Sequence, residues 1–126
     1  MSRDGEAPFH AHIYYPMAER IRAVALQETL SQTSGVLFTG SLRDAEVGPH
    51  LLPQFEIHFP EAALPAILPL IEASGLTALI HPLTDDDLAD HTTLGRWIGA
   101  PLDLDLTVLD PPGENQGVPR FGKTDF

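Results

Sequence analysis

The chain contains no cysteine. Disulfides, thiolate nucleophiles and thiolate metal ligands are therefore excluded, and any metal must be held by His, Asp or Glu. Cations are scarce: seven Lys and Arg stand against eighteen Asp and Glu, giving a formal net charge of −11. Such a surface repels phosphate backbones, so nucleic acid is not an expected partner. No apolar run approaches the ~20 residues that span a bilayer, so no membrane association is expected. The opening Met1-Ser2-Arg3-Asp4-Gly5 lacks the apolar core of a secretion signal, which leaves a cytoplasmic location as the default expectation.

What is present fits one domain. The 126 residues are 43% hydrophobic, enough for one modest core. The core is expected over about residues 9–109, and the Pro-, Gly- and polar-rich residues 110–126 read as an extended tail. Phe9-His10-Ala11-His12-Ile13-Tyr14-Tyr15 alternates as a strand, with Phe9, Ala11 and Ile13 on one side and His10, His12 and Tyr14 on the other. Residues 17–33 read as a helix with an apolar stripe of Met17, Ile21, Val24 and Ala25, while Leu26 and Leu30 lie off it. Val36–Thr39 is a second strand. Gln54–Phe59 is a third, with Phe55, Ile57 and Phe59 inward and Gln54, Glu56 and His58 outward. Leu64, Ile67, Leu68 and Ile71 mark a second helix that carries Pro69 and ends at Gly75. Leu76–His81 is a fourth strand. Asp85–Asp87 begin a short helix expected to reach about Trp97, and Leu102, Leu104, Leu106 and Val108 alternate as a further edge strand.

The order is β-α-β-β-α-β with a C-terminal short helix and strand. It predicts an α+β, ferredoxin-like sandwich with strand 1 between strands 3 and 4 and both helices on one face. The open face would then gather His10, His12, Tyr14, Glu56, His58 and His81. Neighbouring strands lie ~5 Å apart, so side chains from three strands can converge on one ion. His12 or His10, with Glu56 and His81, makes a feasible three-ligand set. Two histidines and a carboxylate is the facial arrangement of non-haem Fe(II) oxygenases, and the same donors suit zinc. Taken singly, a strand histidine is commonly a half-buried polar group with a satisfied hydrogen bond; it is the clustering that points to a site. His50 follows Gly48-Pro49 in a loop that can fold over the sheet, and His91 lies beside Asp87 and Asp90 on the short helix, where a carboxylate would orient its ring.

These stretches carry a resemblance. Residues 9–15, Gly48-Pro49-His50, Phe55-Glu56-Ile57, His81-Pro82-Leu83-Thr84-Asp85-Asp86-Asp87, Asp90-His91-Thr92 and Trp97-Ile98-Gly99-Ala100-Pro101-Leu102, in that order, resemble the DOPA 4,5-dioxygenase family over about residues 9–109. Two departures are His58, an ordinary position in the family, and Asp86, where the family often has Gly. The resemblance implies a ferredoxin-like homodimer that opens a catechol ring, such as that of DOPA, in an extradiol reaction with O2. Fe(II) would be held by His12, Glu56 and His81, with zinc as a substitute. His10, His50 and His91 would compete for acid and base roles. Arg22, Arg43 and Arg96 are the cations considered for a carboxylate on the substrate. Two other classes share the expected fold: a cofactor-free monooxygenase, which would hold no metal, and a non-catalytic binding domain, which would bind catechols without taking up O2.

Overall fold

The computed structural model describes residues 6–44 and 49–122. Gly48 of the loop motif lies outside them. Five strands form one antiparallel sheet: β1 (Pro8–Tyr14), β2 (Phe38–Thr39), β3 (Gln54–Pro60), β4 (Thr77–Pro82) and β5 (Arg96–Ile98), in the spatial order β2-β3-β1-β4-β5. Strand β1 is central between β3 and β4, as the sequence pattern predicts. Helices α1 (Arg20–Ser31) and α2 (Leu64–Ser74) contribute to a core on one side of the sheet, and α3 spans Asp87–His91.

The alternation of the strands decides the layers. Ala11 and Ile13 of β1, Phe55, Ile57 and Phe59 of β3 and Ala78 and Ile80 of β4 are all buried in this core. They meet Leu26 and Leu30 from α1 and Ile67 and Ile71 from α2. The intervening residues therefore face the other way. Gly75 closes α2 with φ of 75°, a left-handed conformation that glycine adopts without a Cβ clash. Pro69 lies within α2 on its exposed side.

Four expectations are corrected. First, α1 buries Ala23, Leu26 and Leu30, while Ile21 is 87% exposed and Met17 54% exposed. Apolar residues occur on both sides of this helix, so spacing alone does not select the buried face; the small Ala23 packs where a larger stripe was expected. Second, the short helix ends at His91 and Trp97 belongs to β5, opposite Leu79. Asp86 caps the helix by accepting from the Ala89 N–H at 3.0 Å. Thr92, Thr93 and Gly95 then follow, all weak helix formers, and the free edge of β4 takes up residues 96–98. Third, residues 102–108 form no strand. That edge is occupied by β5, and Leu104 makes only a single bridge to His50. Asp105 instead caps a tight turn at Leu106–Val108. Fourth, residues 110–122 are not extended: they run as successive turns and reach β3, where the Gly122 N–H donates to His58 Nδ1 at 2.9 Å.

The corrected helix face gives a stability contrast. Leu30→Ala, at a fully buried site, should cost about 2–5 kcal/mol. Ile21→Ala should stay within about 0.5 kcal/mol. Urea unfolding of both variants checks this; equal losses would mean that the helix buries both faces.

Candidate functional site

The strand register builds the site. His10 lies across from His58 on β3 and His81 on β4, and His12 lies across from Glu56 and Leu79. Each pair shares the sheet face opposite the hydrophobic layer. His50 enters from the loop before β3 and His91 from α3, so five imidazoles crowd one cavity of about 220 Å³. All five are buried. Ring centroids of His12 and His50 are 4.0 Å apart, and those of His81 and His91 are 4.3 Å apart.

Hydrogen bonds at the outer ring nitrogens fix how these rings face each other. His81 Nδ1 donates to the Pro82 carbonyl at 2.8 Å, and His91 Nδ1 to the Asp87 carbonyl at 2.8 Å. His12 Nδ1 faces Gln54 Oε1 at 3.3 Å, and His10 Nδ1 faces Glu56 Oε2 at 3.4 Å. Carbonyl and carboxylate oxygens only accept, so each of these rings carries its proton on Nδ1 and presents a bare Nε2. Two consequences are unusual for a protein interior. His12 Nε2 and His81 Nε2 are 2.9 Å apart; with Nδ1–H on both rings they meet lone pair to lone pair. His10 Nε2 is buried with no hydrogen-bond partner among the described residues. A buried nitrogen left this way costs free energy unless something fills the gap.

Burial also removes the charge. It is the main reason that the His10 and His12 imidazoles titrate well below 6.5, with neighbouring imidazoles adding to the effect. Burial, and next the nearby His91, lowers His50 and His81 to about 3. These rings are neutral at pH 7, the form that binds metal. Burial raises the Tyr14 hydroxyl above its ordinary value, so it keeps its proton. It meets His50 Nδ1 at 2.6 Å. Donation by the hydroxyl leaves the His50 proton on Nε2, the reverse of the other rings. The Tyr14 ring stacks on Trp97 at 5.7 Å.

Three groups of potential metal donors occur among the described residues: His10 with His12 and His81, His12 with His50 and His91, and His10 with Glu56 and His58. The structure thus joins His12 to His81 as the sequence suggests, and adds His10 to that pair. Glu56, expected as the carboxylate ligand, directs Oε2 toward His10 and accepts from His58 Nε2 at 3.0 Å. His50 and His91 both line the cavity, and the partner of His91 is Asp87, at 3.3 Å. None of Arg22, Arg43 and Arg96 lines it. Arg22 pairs with Glu19 at 3.3 Å and borders a separate cavity.

Sequence reasoning missed three contributors. Gln54 orients His12; its place on the same strand face two residues before Glu56 was the available signal. Asn115 is buried and donates to Asp90 Oδ2 at 2.7 Å and to the Thr84 carbonyl at 2.8 Å. Asp90 also accepts from the Thr84 N–H at 2.9 Å and hydroxyl at 2.6 Å. This knot ties the C-terminal segment to α3 and had no local signature. His58, placed on the open face without a role, links Glu56 to the Gly122 N–H.

The family model for the Dopa 4,5-dioxygenase family matches residues 9–108. The chain belongs to this family. It is 29% identical over 111 residues to a DOPA 4,5-dioxygenase of Amanita muscaria, covering 80% of this chain and 49% of the relative. It is also 29% identical over 114 residues to an uncharacterized 21.2 kDa protein of Botryotinia fuckeliana, covering 80% of this chain and 62% of that protein. The chain therefore spans about half to three-fifths of the length of these curated relatives. A crystal structure of a protein described as a candidate dioxygenase from Nostoc punctiforme aligns with a TM-score of 0.77 at 31% identity. It covers 86% of this chain and 96% of that one. Beside this family membership stand the buried histidine groups able to hold a metal ion.

The lowered imidazole values give a pH dependence for the metal-free protein. The unfolded chain binds protons at His50 and His81 near pH 6.5, while the folded chain resists until about 3. Stability is full above pH 6.5 and is lost as pH falls below it, with a limiting slope on the order of 1 kcal/mol per group per pH unit. Urea midpoints in chelator should fall between pH 7 and 5; an unchanged midpoint would contradict burial of neutral rings.

Proposed function

We propose that this chain is a non-haem Fe(II) dioxygenase that opens a catechol ring in the extradiol manner, using O2. The observation carrying this reading is the convergence of inward ring nitrogens: the partnerless His10 Nε2 and the 2.9 Å approach of His12 Nε2 to His81 Nε2. A divalent cation resolves both, because it accepts lone pairs where a hydrogen bond cannot. His10, His12 and His81 would hold it, with Glu56 and Gln54 fixing the orientations of His10 and His12. This ligand set differs from the facial triad with Glu56 that the sequence suggests, and the variants below separate the two.

Fe(II) bound there would supply coordination for both catechol oxygens and the redox chemistry that O2 requires. The chain supplies the rest. His50, with its Nδ1 held by Tyr14, has a proton on Nε2 to give to oxygen, and His91, with Nδ1 held by Asp87, offers a bare Nε2 that can take one from a catechol hydroxyl. Leu83, Val108 and Leu109 form apolar parts of the cavity wall that limit water around the reacting ring. The cavity volume is below the ~300–1,000 Å³ typical of drug-sized sites, which favours a single aromatic ring. We read the strand order as ferredoxin-like and the assembly as a homodimer in the cytoplasm.

Anaerobic reconstitution with Fe(II) followed by addition of a catechol should give O2 uptake and a yellow ring-opened product. His12→Ala and His81→Ala should lose metal and uptake together. Gln54→Leu should weaken metal binding by roughly 10–100-fold. His10→Ala should lose metal more completely than Glu56→Ala; the opposite order would restore Glu56 as the third ligand. O2 uptake by thoroughly chelated protein would favour the cofactor-free monooxygenase. Catechol binding with Fe(II) but no uptake would favour a binding domain.

A further inference from the structure

The charge of the cavity wall carries an inference about which catechols enter. Glu56, Asp87 and Asp110 line the cavity, and no Lys or Arg does so among the described residues. Among the described arginines, Arg20 pairs with Asp44 at 2.9 Å and Arg22 with Glu19, while Arg43, Arg96 and Arg120 are exposed.

The three carboxylates are not equivalent. Glu56 Oε2 faces His10 and His58. Asp87 faces His91 through Oδ1 and accepts from the Asp110 N–H through Oδ2 at 2.9 Å. Asp110 accepts from the Gln116 N–H through Oδ2 at 2.9 Å. A carboxylate offers about four lone-pair positions, so Asp110 retains acceptor capacity beyond that bond. It is half-buried, has no imidazole partner of its own, and shares the wall with the orphaned His10 Nε2. Its position is set on both sides, by Asp87 at its backbone and by the turn to Gln116. It also lies beyond residue 108, where the family match ends, so this part of the wall belongs to the chain's own C-terminal segment.

We propose that Asp110 is a specificity-determining residue that selects catechols bearing an ammonium group on the ring substituent and disfavours those bearing a carboxylate. The inference rests on the dioxygenase reading above. An attractive charge partner at a half-buried rim favours one sign, and a desolvated like charge is rejected. For a zwitterionic amino-acid substituent, the ammonium end faces Asp110.

The test is calorimetric binding, without oxygen, of three catechols to Fe(II)-reconstituted protein. The ring substituents are 2-aminoethyl (cationic), methyl (neutral) and carboxymethyl (anionic). The expected order of affinity is cationic, neutral, anionic, with roughly a tenfold gap between the two ends. Raising the salt concentration should narrow that gap. Asp110→Asn keeps an acceptor for the Gln116 N–H and should reduce the ratio to about threefold or less; Asp110→Lys should reverse it. An unchanged ratio in folded Asp110→Asn overturns the inference, as does a cationic preference on the unaltered protein that salt leaves unchanged. Binding of all three with a flat or reversed order overturns the inference and leaves the dioxygenase reading standing. Binding of none contradicts that reading, and the inference falls with it.

Discussion

His12 Nε2 and His81 Nε2 lie 2.9 Å apart, and an oxygen acceptor at the far nitrogen of each ring favours the proton on that side. Water would ordinarily relieve such a contact, yet both rings are almost fully buried. The molecule holds them in place through features that have no chemistry of their own. Antiparallel pairing of β1 with β4 sets the two histidines diagonally across the ladder. The Pro82 carbonyl and the Gln54 amide fix the rings about their own axes. The hydrophobic layer under the sheet packs β1, β3 and β4 against α1 and α2, which resists any parting of the strands that would ease the contact. Local instability at a site is commonly borne this way by the surrounding fold.

A roof completes the site from the open side. Helix α3 is only five residues long, too short to be stable on its own. Its position depends on Asp90, which is fully buried and joins Thr84 to Asn115. The C-terminal turns are thus bound into the roof, and they place Asp110 and Gly117 in the cavity wall. Farther along, Phe121 stacks on His58 at 5.9 Å between ring centroids. The Gly122 N–H occupies His58 Nδ1, so the ring carries its proton on Nε2, toward Glu56. Glu56 is consequently held between two imidazoles.

The alternating strands were legible because a period of two assigns each side chain to a face without knowledge of any partner. That is why His10, His12, Glu56, His58 and His81 could be grouped from the sequence. Alternation does not reveal register, however. That His10 lies directly between His58 and His81 depends on pairings set by distant residues, so the sequence offered His12 or His10 beside Glu56 and His81 and could not bring His10 and His12 into one donor group. The buried face of α1 was misread because Ile21 and Leu26 are equally apolar and only the packing separates them. The alternation at 102–108 was real, but a strand also needs an unoccupied edge, and residues 96–98 had taken it. The wall formed after residue 108 relies on single long-range bonds from Asn115 and Gly122, for which no local pattern exists.

The central claim is that His10, His12 and His81 turn Nε2 toward one ion while their Nδ1 protons stay on the surrounding oxygens. Nitrogen-15 NMR of the histidine rings in the zinc-loaded protein tests it most directly, since zinc is diamagnetic and suits the same donors. The account predicts three rings with Nδ1–H and a metal-shifted Nε2, assigned to His10, His12 and His81. Metal shifts at Nδ1 of these rings, or a zinc-loaded spectrum in which His12 and His81 keep Nε2–H, would contradict it.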